Sequence, residues 1–547
     1  MKKLLKYLGL GLLSTVLSAA PSWGAERISL FYPPFGEFSL STDALETFAK
    51  EGKITGELDI YAQRATPEQL AQLRELLQQR FSATPTLVSQ FTYSPIGEQV
   101  VQRLGELLLT ESRQNGFYAV RAALILAAAD SKEGLTVVNI IRKFPSPTIK
   151  LNFSEGIKIV NNLSELLKDR DAVVAYLQQQ AIAESSNANI DFSQKPDLRQ
   201  PGKLPLQKLY FELNDTKRDR RLPLDVYIPQ VTTQKPFPLI VISHGLASDR
   251  YALAYLAEHL VSYGFAVAVL EHPGSNAQRF QKYFAGLAGP PQPREFIDRP
   301  LDVKFVLDEL QSLETSNPQL RGKLNFQEVG AIGHSFGGYT VLTLAGAKLN
   351  FAQLRRDCYP NRSLNLSLLL QCQAAELSET DYALQDPRIK AVMAINPINS
   401  SVLGENGISE IKVPAMIVTG SQDIFAPAIP EQIRPFTWLT EPNKYLVLIE
   451  NATHFSALQE PAPENNVLPV PTGLLGPEPE PVYSYLKALS VAFMETNLLN
   501  NAEYRPYLQS SYAQYINQAP LNITLLSNLS TEQLAQALKN GTNKKQK

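Results

Sequence analysis

The segment Gly333-His334-Ser335-Phe336-Gly337-Gly338 constrains this chain more than any other. It follows the apolar run Val329-Gly330-Ala331-Ile332 and precedes Tyr339-Thr340-Val341-Leu342-Thr343-Leu344-Ala345. That order reads as strand, tight turn and helix, with a serine at the turn. In this setting G-x-S-x-G makes so sharp a turn that a Cβ on either glycine would meet the neighbouring strand or helix. The serine is lifted above the sheet edge, and the helix N-terminus beside it favours a developing negative charge. Ser335 is the candidate nucleophile; the bland alternative is a plain strand-to-helix turn.

A length of 547 residues leaves room for two or more domains. Hydrophobic residues at 44% and charged ones at 19% describe an ordinary globular protein. A net charge of −2 gives no reason to expect a nucleic acid partner. The basic run Lys544-Lys545-Gln546-Lys547 reads as a solvated tail.

The N-terminus has the grammar of a signal peptide over residues 1–25. Lys2, Lys3 and Lys6 form a basic start, Tyr7 to Leu17 an apolar core, and Ser18, Ala19, Ala20, Gly24 and Ala25 a small-residue cleavage region. The apolar stretch is short for a membrane span. An exported protein of periplasm, thylakoid lumen or extracellular space is expected. In such a compartment Cys358 and Cys372 are expected to form a disulfide, with buried free thiols as the alternative. Two cysteines cannot build a structural zinc site, and no histidine stands in a metal-binding pattern. No cofactor or metal is expected.

Residues 26–185 read as a mainly helical accessory domain without evident chemistry. Thr66-Pro67-Glu68-Gln69 is a strong helix start, followed by Leu70, Leu73, Leu76 and Leu77 on one face. Residues 186–203, rich in Ser, Asn and Pro, read as a linker. From 204 to 500 the texture alternates between apolar strands and helices. Two strands, Leu206–Leu213 and Leu222–Ile228, suggest a hairpin around Asn214-Asp215. Buried strands follow at Leu239–Ser243, Ala266–Leu270, Val329–Gly333, Ala391–Ile395, Ala415–Thr419 and Tyr445–Ile449. The fold class is α/β, a mostly parallel sheet with helices on both faces. With the two early antiparallel strands it looks like an α/β-hydrolase core. An insertion at 345–387, carrying both cysteines and a run of leucines, is either a lid over an acyl pocket or a segment packed on the core. Residues 501–547 read as a helical extension and tail.

A serine nucleophile needs a base, and in this fold the base follows the nucleophile and the acid in sequence. Of five histidines only His454 lies beyond Ser335, on a loop after the last predicted strand. Asp423 follows the strand Ala415–Thr419 at its carboxyl end, 31 residues before His454. It is the expected acid, orienting the imidazole without taking its proton. The competing strand end, Ile395-Asn396-Pro397, carries no acid. The oxyanion donors are expected to be the backbone N–H groups of Phe336 and Leu246, the latter in Ser243-His244-Gly245-Leu246-Ala247. His244 and His272 are candidate site-lining residues. His259 reads as a helix surface residue and His334 as a neighbour of the turn.

Ile242-Ser243-His244-Gly245-Leu246, Leu260 to His272, Arg299-Pro300-Leu301-Asp302 and the Ser335 turn together resemble the plasma-type platelet-activating factor acetylhydrolases. They are also similar to dienelactone hydrolase-like esterases. The N-terminal region looks like an uncharacterised domain found ahead of such hydrolases in cyanobacteria. The resemblance implies hydrolysis of carboxylic esters, on lipids or short acyl chains, without calcium. In the acetylhydrolases the acid comes from the preceding strand, where this chain has Asn396, so Asp423 must serve. The expectation is an exported serine hydrolase acting through an acyl-enzyme on a small-molecule or lipid ester, with transient membrane-surface contact compatible and no protein partner indicated. The alternatives are a non-catalytic lipid- or partner-binding protein on the same fold and an acyltransferase using the same three residues.

Overall fold

The computed structural model describes residues 24–185, 190–231, 235–359, 363–459 and 472–543. Nearly all of the expected signal peptide, positions 186–189 of the linker and the basic tail lie outside the described residues. Two compact units form: Met1–Leu163 with Tyr283–Gly289, and Ser164–Lys282 with Pro290–Lys547. The boundary falls inside one helix, Phe153–Ser185, rather than at residue 186. The reason is packing. Val173, Leu177 and Ala181 recur every four residues and enter the core of the second unit.

In the first unit three helices start by one device. Thr66, Thr84 and Ser94 each cap a helix whose first residue is proline, and Thr66 and Gln69 close the capping box. The expectation of a mainly helical region is incomplete, because strands run between the helices. They are β1 (Arg27–Tyr32), β2 (Gly36–Ser41), β3 (Arg80–Phe81), β4 (Leu108–Leu109), β5 (Leu135–Thr136) and β6 (Thr148–Leu151). β2-β1-β6-β4 form one sheet and β3-β5 a short pair. At two to six residues each, these strands are too short for alternation to stand out in sequence.

The second unit contains the expected sheet, with one strand more. β7 (Leu206–Asp215), β8 (Arg220–Pro229), β9 (Phe237–Ser243), β10 (Ala266–Leu270), β11 (Leu324–His334), β12 (Ile389–Ile395), β13 (Ala415–Gly420), β14 (Lys444–Ile449) and β15 (Ile523–Leu526) are ordered β15-β14-β13-β12-β11-β9-β10-β8-β7. The strands from β10 to β14 are parallel neighbours; β7, β8 and β15 pair antiparallel at the two edges. β15 corrects the reading of residues 501–547 as a helical extension. Its four buried residues, Ile523, Thr524, Leu525 and Leu526, complete the sheet beside β14, whose edge would otherwise be open. The first hairpin turns at Thr216–Asp219, not at Asn214-Asp215, which end β7.

Alternate residues of the central strands feed two cores. Val241, Ala268, Ala331, Val392, Ile417 and Leu448 face helix Glu295–Ser316 and the helix after Ser335. Ile242, Val267, Ile332, Met393, Val418 and Val447 face helices Ala254–Ser262 and Glu480–Asn497. This two-sided burial is why the strands are apolar at every position. No helix among the described residues is long and apolar enough to cross a membrane.

The 345–387 insertion is tied to the first of these cores. Leu368 and both cysteines pack into it, and Cys358 and Cys372 form the disulfide. The buried Glu431 carboxylate accepts hydrogen bonds from Asn365 Nδ2 (2.5 Å), Ser367 Oγ (2.8 Å) and Gln371 Nε2 (3.0 Å) of the same segment. Closing this loop restricts the unfolded chain by about 3 kcal/mol. Replacing both cysteines by serine should therefore lower the unfolding free energy, read from a denaturant titration, by an amount of that order. An unchanged unfolding free energy would count against the bridge as a stabilising element.

Candidate active site

Ser335 stands at the end of β11 with φ 55° and ψ −116°, a backbone conformation that costs roughly 1–3 kcal/mol for a residue with a side chain. The turn is possible because its flanks lack side chains. A Cβ on Gly333 would lie 2.1 Å from the Gly337 carbonyl oxygen, and one on Gly337 would lie 2.0 Å from the Ser243 carbonyl oxygen. The Ser335 amide is anchored to the Ile395 carbonyl of β12 at 2.8 Å.

The chain brings together the three residues expected from sequence. Ser335 Oγ donates to His454 Nε2 at 3.0 Å, and His454 Nδ1 donates to Asp423 Oδ2 at 2.7 Å. Asp423 sits just beyond β13, and its other oxygen accepts from the Phe425 and Ala426 amides at 2.9 and 2.8 Å. Asn396 adds a bond that sequence reasoning missed, its Nδ2 donating to Asp423 Oδ2 at 2.7 Å. Its signal in the sequence was its place directly after β12, at the strand end beside the one that carries Asp423; its backbone there is left-handed, φ 46°. All four side chains are buried to within a few per cent of full burial. Beside His454, Phe425 and Phe455 pack edge to face with ring centres 5.4 Å apart, and the neighbouring Ile424 is exposed.

Leu246 and Phe336 carry amides that find no acceptor among the described residues. A Cβ on Gly245 would fall 3.4 Å from the Ser335 Cβ, which places the Leu246 loop against the turn. That loop is stitched in place by the Ala247 amide on Ser275 O (2.9 Å) and the Ala277 amide on Ser248 O.

The remaining histidines are structural in position. His334 Nε2 donates to the His454 carbonyl at 2.9 Å, holding the backbone of the His454 loop. His244 Nδ1 donates to Gly245 O at 2.7 Å and its Nε2 accepts from the His272 amide at 3.0 Å. His272 Nδ1 donates to Asp302 Oδ2 and its Nε2 accepts from Ser243 Oγ, both at 2.9 Å. The expectation that His244 and His272 line the site is thus corrected. Both rings are buried behind the Ser243 strand end, and both nitrogens of each are spent there. His259 is likewise buried rather than on a surface, its Nε2 donating to Leu198 O at 2.9 Å. Burial pushes His334 down to about 3 and His259 down to about 4; His244 and His272 are held well below the usual range by burial and then by the Arg299 charge.

Behind the loop lies a buried ionic cluster on helix Glu295–Ser316. Glu295, Asp298, Arg299 and Asp302 share one helical face. Arg220 pairs with Glu295 and Asp302 at 2.7 Å each, and Arg218 with Asp302 at 2.8 Å. Pro300 cannot donate to the Phe296 carbonyl four residues back, and the buried Tyr339 hydroxyl takes that place at 2.8 Å.

Two family models match the chain. One, described as alpha/beta hydrolase of unknown function, matches residues 24–152, the region of the first unit. The other, platelet-activating factor acetylhydrolase, isoform II, matches residues 219–286, from β8 past the Leu246 loop. Among curated proteins, the platelet-activating factor acetylhydrolases of Cavia porcellus and Canis lupus familiaris are each 30% identical over 20% of this chain and 32% of their own length. The quorum-quenching protein AidA of Acinetobacter baumannii (strain MDR-ZJ06) is 26% identical over 36% of this chain and 57% of its own. The match to the acetylhydrolases spans about a third of their length. The chain is similar to α/β hydrolases at both ends of this comparison, and its fold is α/β. The resemblance to the acetylhydrolases read from sequence is thereby found again, over the strands that lead into the site.

Neutral buried histidines link stability to pH. A histidine whose folded pKa lies below its unfolded value of about 6.5 contributes fully above pH 6.5 and loses that contribution as pH falls toward the folded pKa. For His259 this window runs from about 6.5 to about 4, at up to ~1.4 kcal/mol per pH unit. Unfolding midpoints at pH 7, 5.5 and 4.5 should fall steadily for the wild type. For His259→Gln the fall should be shallower, so the two curves converge on acidification. Parallel curves would show that His259 is not held neutral by the fold.

Proposed function

We propose that this chain is an exported serine hydrolase that cleaves carboxylic esters through an acyl-enzyme. The observation that carries the reading is the continuous line from Ser335 Oγ through both nitrogens of His454 to Asp423. His454 takes the Ser335 proton as the hydroxyl attacks the ester carbonyl, and Asp423 holds the imidazole in the tautomer whose Nε2 can accept. The Asp423 carboxylate is itself steered by Asn396 and two backbone amides, which fixes the oxygen it turns to the imidazole. Leu246 and Phe336 offer free amides to the tetrahedral oxyanion. His454 then returns its proton to the leaving alcohol, and water repeats the sequence to release the acid.

The apolar rim of Ile424, Phe425 and Phe455 supports a substrate with an apolar acyl or alcohol portion, such as a lipid or short-chain acyl ester. The name of one relative, platelet-activating factor acetylhydrolase, supports an acetyl group as the acyl portion, and the other relative is named a quorum-quenching protein. Export is supported by the sequence of residues 1–25 and by the Cys358–Cys372 bridge.

A fluorophosphonate probe should label the mature protein and fail to label Ser335→Ala, with hydrolysis of p-nitrophenyl acetate lost in parallel. Asp423→Asn should reduce kcat by ~10⁴-fold through the wrong imidazole tautomer. Folded wild-type protein that neither labels nor turns over any p-nitrophenyl ester from acetate to decanoate would leave the binding-protein reading in its place.

A further inference from the structure

We infer that Arg299 is the positioning residue of the oxyanion site: one buried guanidinium holds both the Leu246 loop and the Phe336 turn in register with Ser335. The inference rests on the serine-hydrolase reading above.

Arg299 is fully buried, and its four hydrogen bonds all go to uncharged oxygens. Nη2 donates to the His244 carbonyl and to Ser243 Oγ, Nη1 to Ser275 Oγ at 2.7 Å, and Nε to Thr340 Oγ1 at 3.2 Å. The His244 carbonyl lies one peptide ahead of the one that carries the Leu246 N–H, so pinning it orients the first donor. Ser275 supplies the carbonyl that anchors Ala247, immediately after Leu246. The second donor is held from two sides. Thr340 Oγ1 donates onward to the Phe336 carbonyl at 2.9 Å, and the guanidinium stacks over the Phe336 ring at 4.6 Å.

The carboxylates stand one group further back. Ser275 Oγ passes its proton bond to Glu295 Oε2 at 2.8 Å, while Ser243 and His272 lead to Asp302. Arg299 is thus balanced by acids without direct contact, and its own hydrogen bonds all serve the Leu246 loop and the Phe336 turn. A lysine cannot take the part, because an ammonium has no planar fork to reach four acceptors set around it.

The test is steady-state kinetics of the full mature chain on p-nitrophenyl acetate, with wild type, Arg299→Lys and Thr340→Val. Inhibition by an alkyl trifluoromethyl ketone, which adds to the serine as a tetrahedral oxyanion, is measured alongside. Arg299→Lys should lower kcat by ~10² or more with KM within threefold, and weaken the ketone by a similar factor. The pH profile of kcat should keep its wild-type shape. Thr340→Val, which keeps the side-chain shape and removes only the relay, should lower kcat by about tenfold with the same pattern. It decides the matter if Arg299→Lys does not fold. A folded variant with wild-type kcat, or a loss seen in KM alone, overturns the inference while the hydrolase reading stands. If the wild type is inactive on acetate the series is run on the longer p-nitrophenyl esters, and a wild type that turns over none from acetate to decanoate overturns both.

Discussion

Everything at this site depends on backbone approaching backbone where side chains are missing. The carbonyl oxygens of Gly337 and Ser243 occupy the space that Cβ atoms on Gly333 and Gly337 would need. That contact draws the ends of β9 and β11 and the start of the following helix into one point, and it forces Ser335 into a conformation that only dense surroundings can hold. The surroundings supply what is needed: the Ser335 amide is tied to β12, and the helix behind it is buried throughout. The strain is carried by the parallel sheet, whose two cores close on both faces.

The polar interior follows from the same geometry. Strands that end together at one edge leave carbonyls and loop amides facing inward, and these must find partners away from water. The face Glu295, Asp298, Arg299 and Asp302, joined by Arg218 and Arg220, supplies charge of both signs within hydrogen-bonding reach. Four histidines kept neutral add one donor each, and His244 and His272 an acceptor as well, with tautomers set by their neighbours rather than by solvent. Breaking one member of such a cluster costs more than the bond itself, since the charges left behind stay buried.

What could be read in the sequence, and what could not, divides along physical lines. The central strands were legible because burial on both faces makes them apolar at every position. Ser335, His454 and Asp423 were legible because the fold sets their order and their strand ends. β15 was not, since Ile523–Leu526 carries the apolar run of a helix turn as well as that of an edge strand. The small strands of the first unit were hidden by their shortness, at two to six residues each. His259 was misjudged because helix Ala254–Ser262 is apolar on most sides, so that even its polar positions are covered. Arg299 stood within a quoted motif without a role. Its signal was the spacing of four charged residues along one helical face, which pattern alone cannot separate from a solvated stripe.

Asn396 carries a consequence for how sites of this kind diverge. Its amide and the Asp423 carboxylate meet at 2.7 Å from the ends of adjacent strands, and the imidazole lies within reach of the same point. An aspartate at both positions would set two negative charges almost in contact, and one would have to keep its proton. The pocket therefore has room for one anion and one amide, in either order. Exchanging the two residue types would move the carboxylate from one strand end to the next, while Ser335 and His454 stay in place.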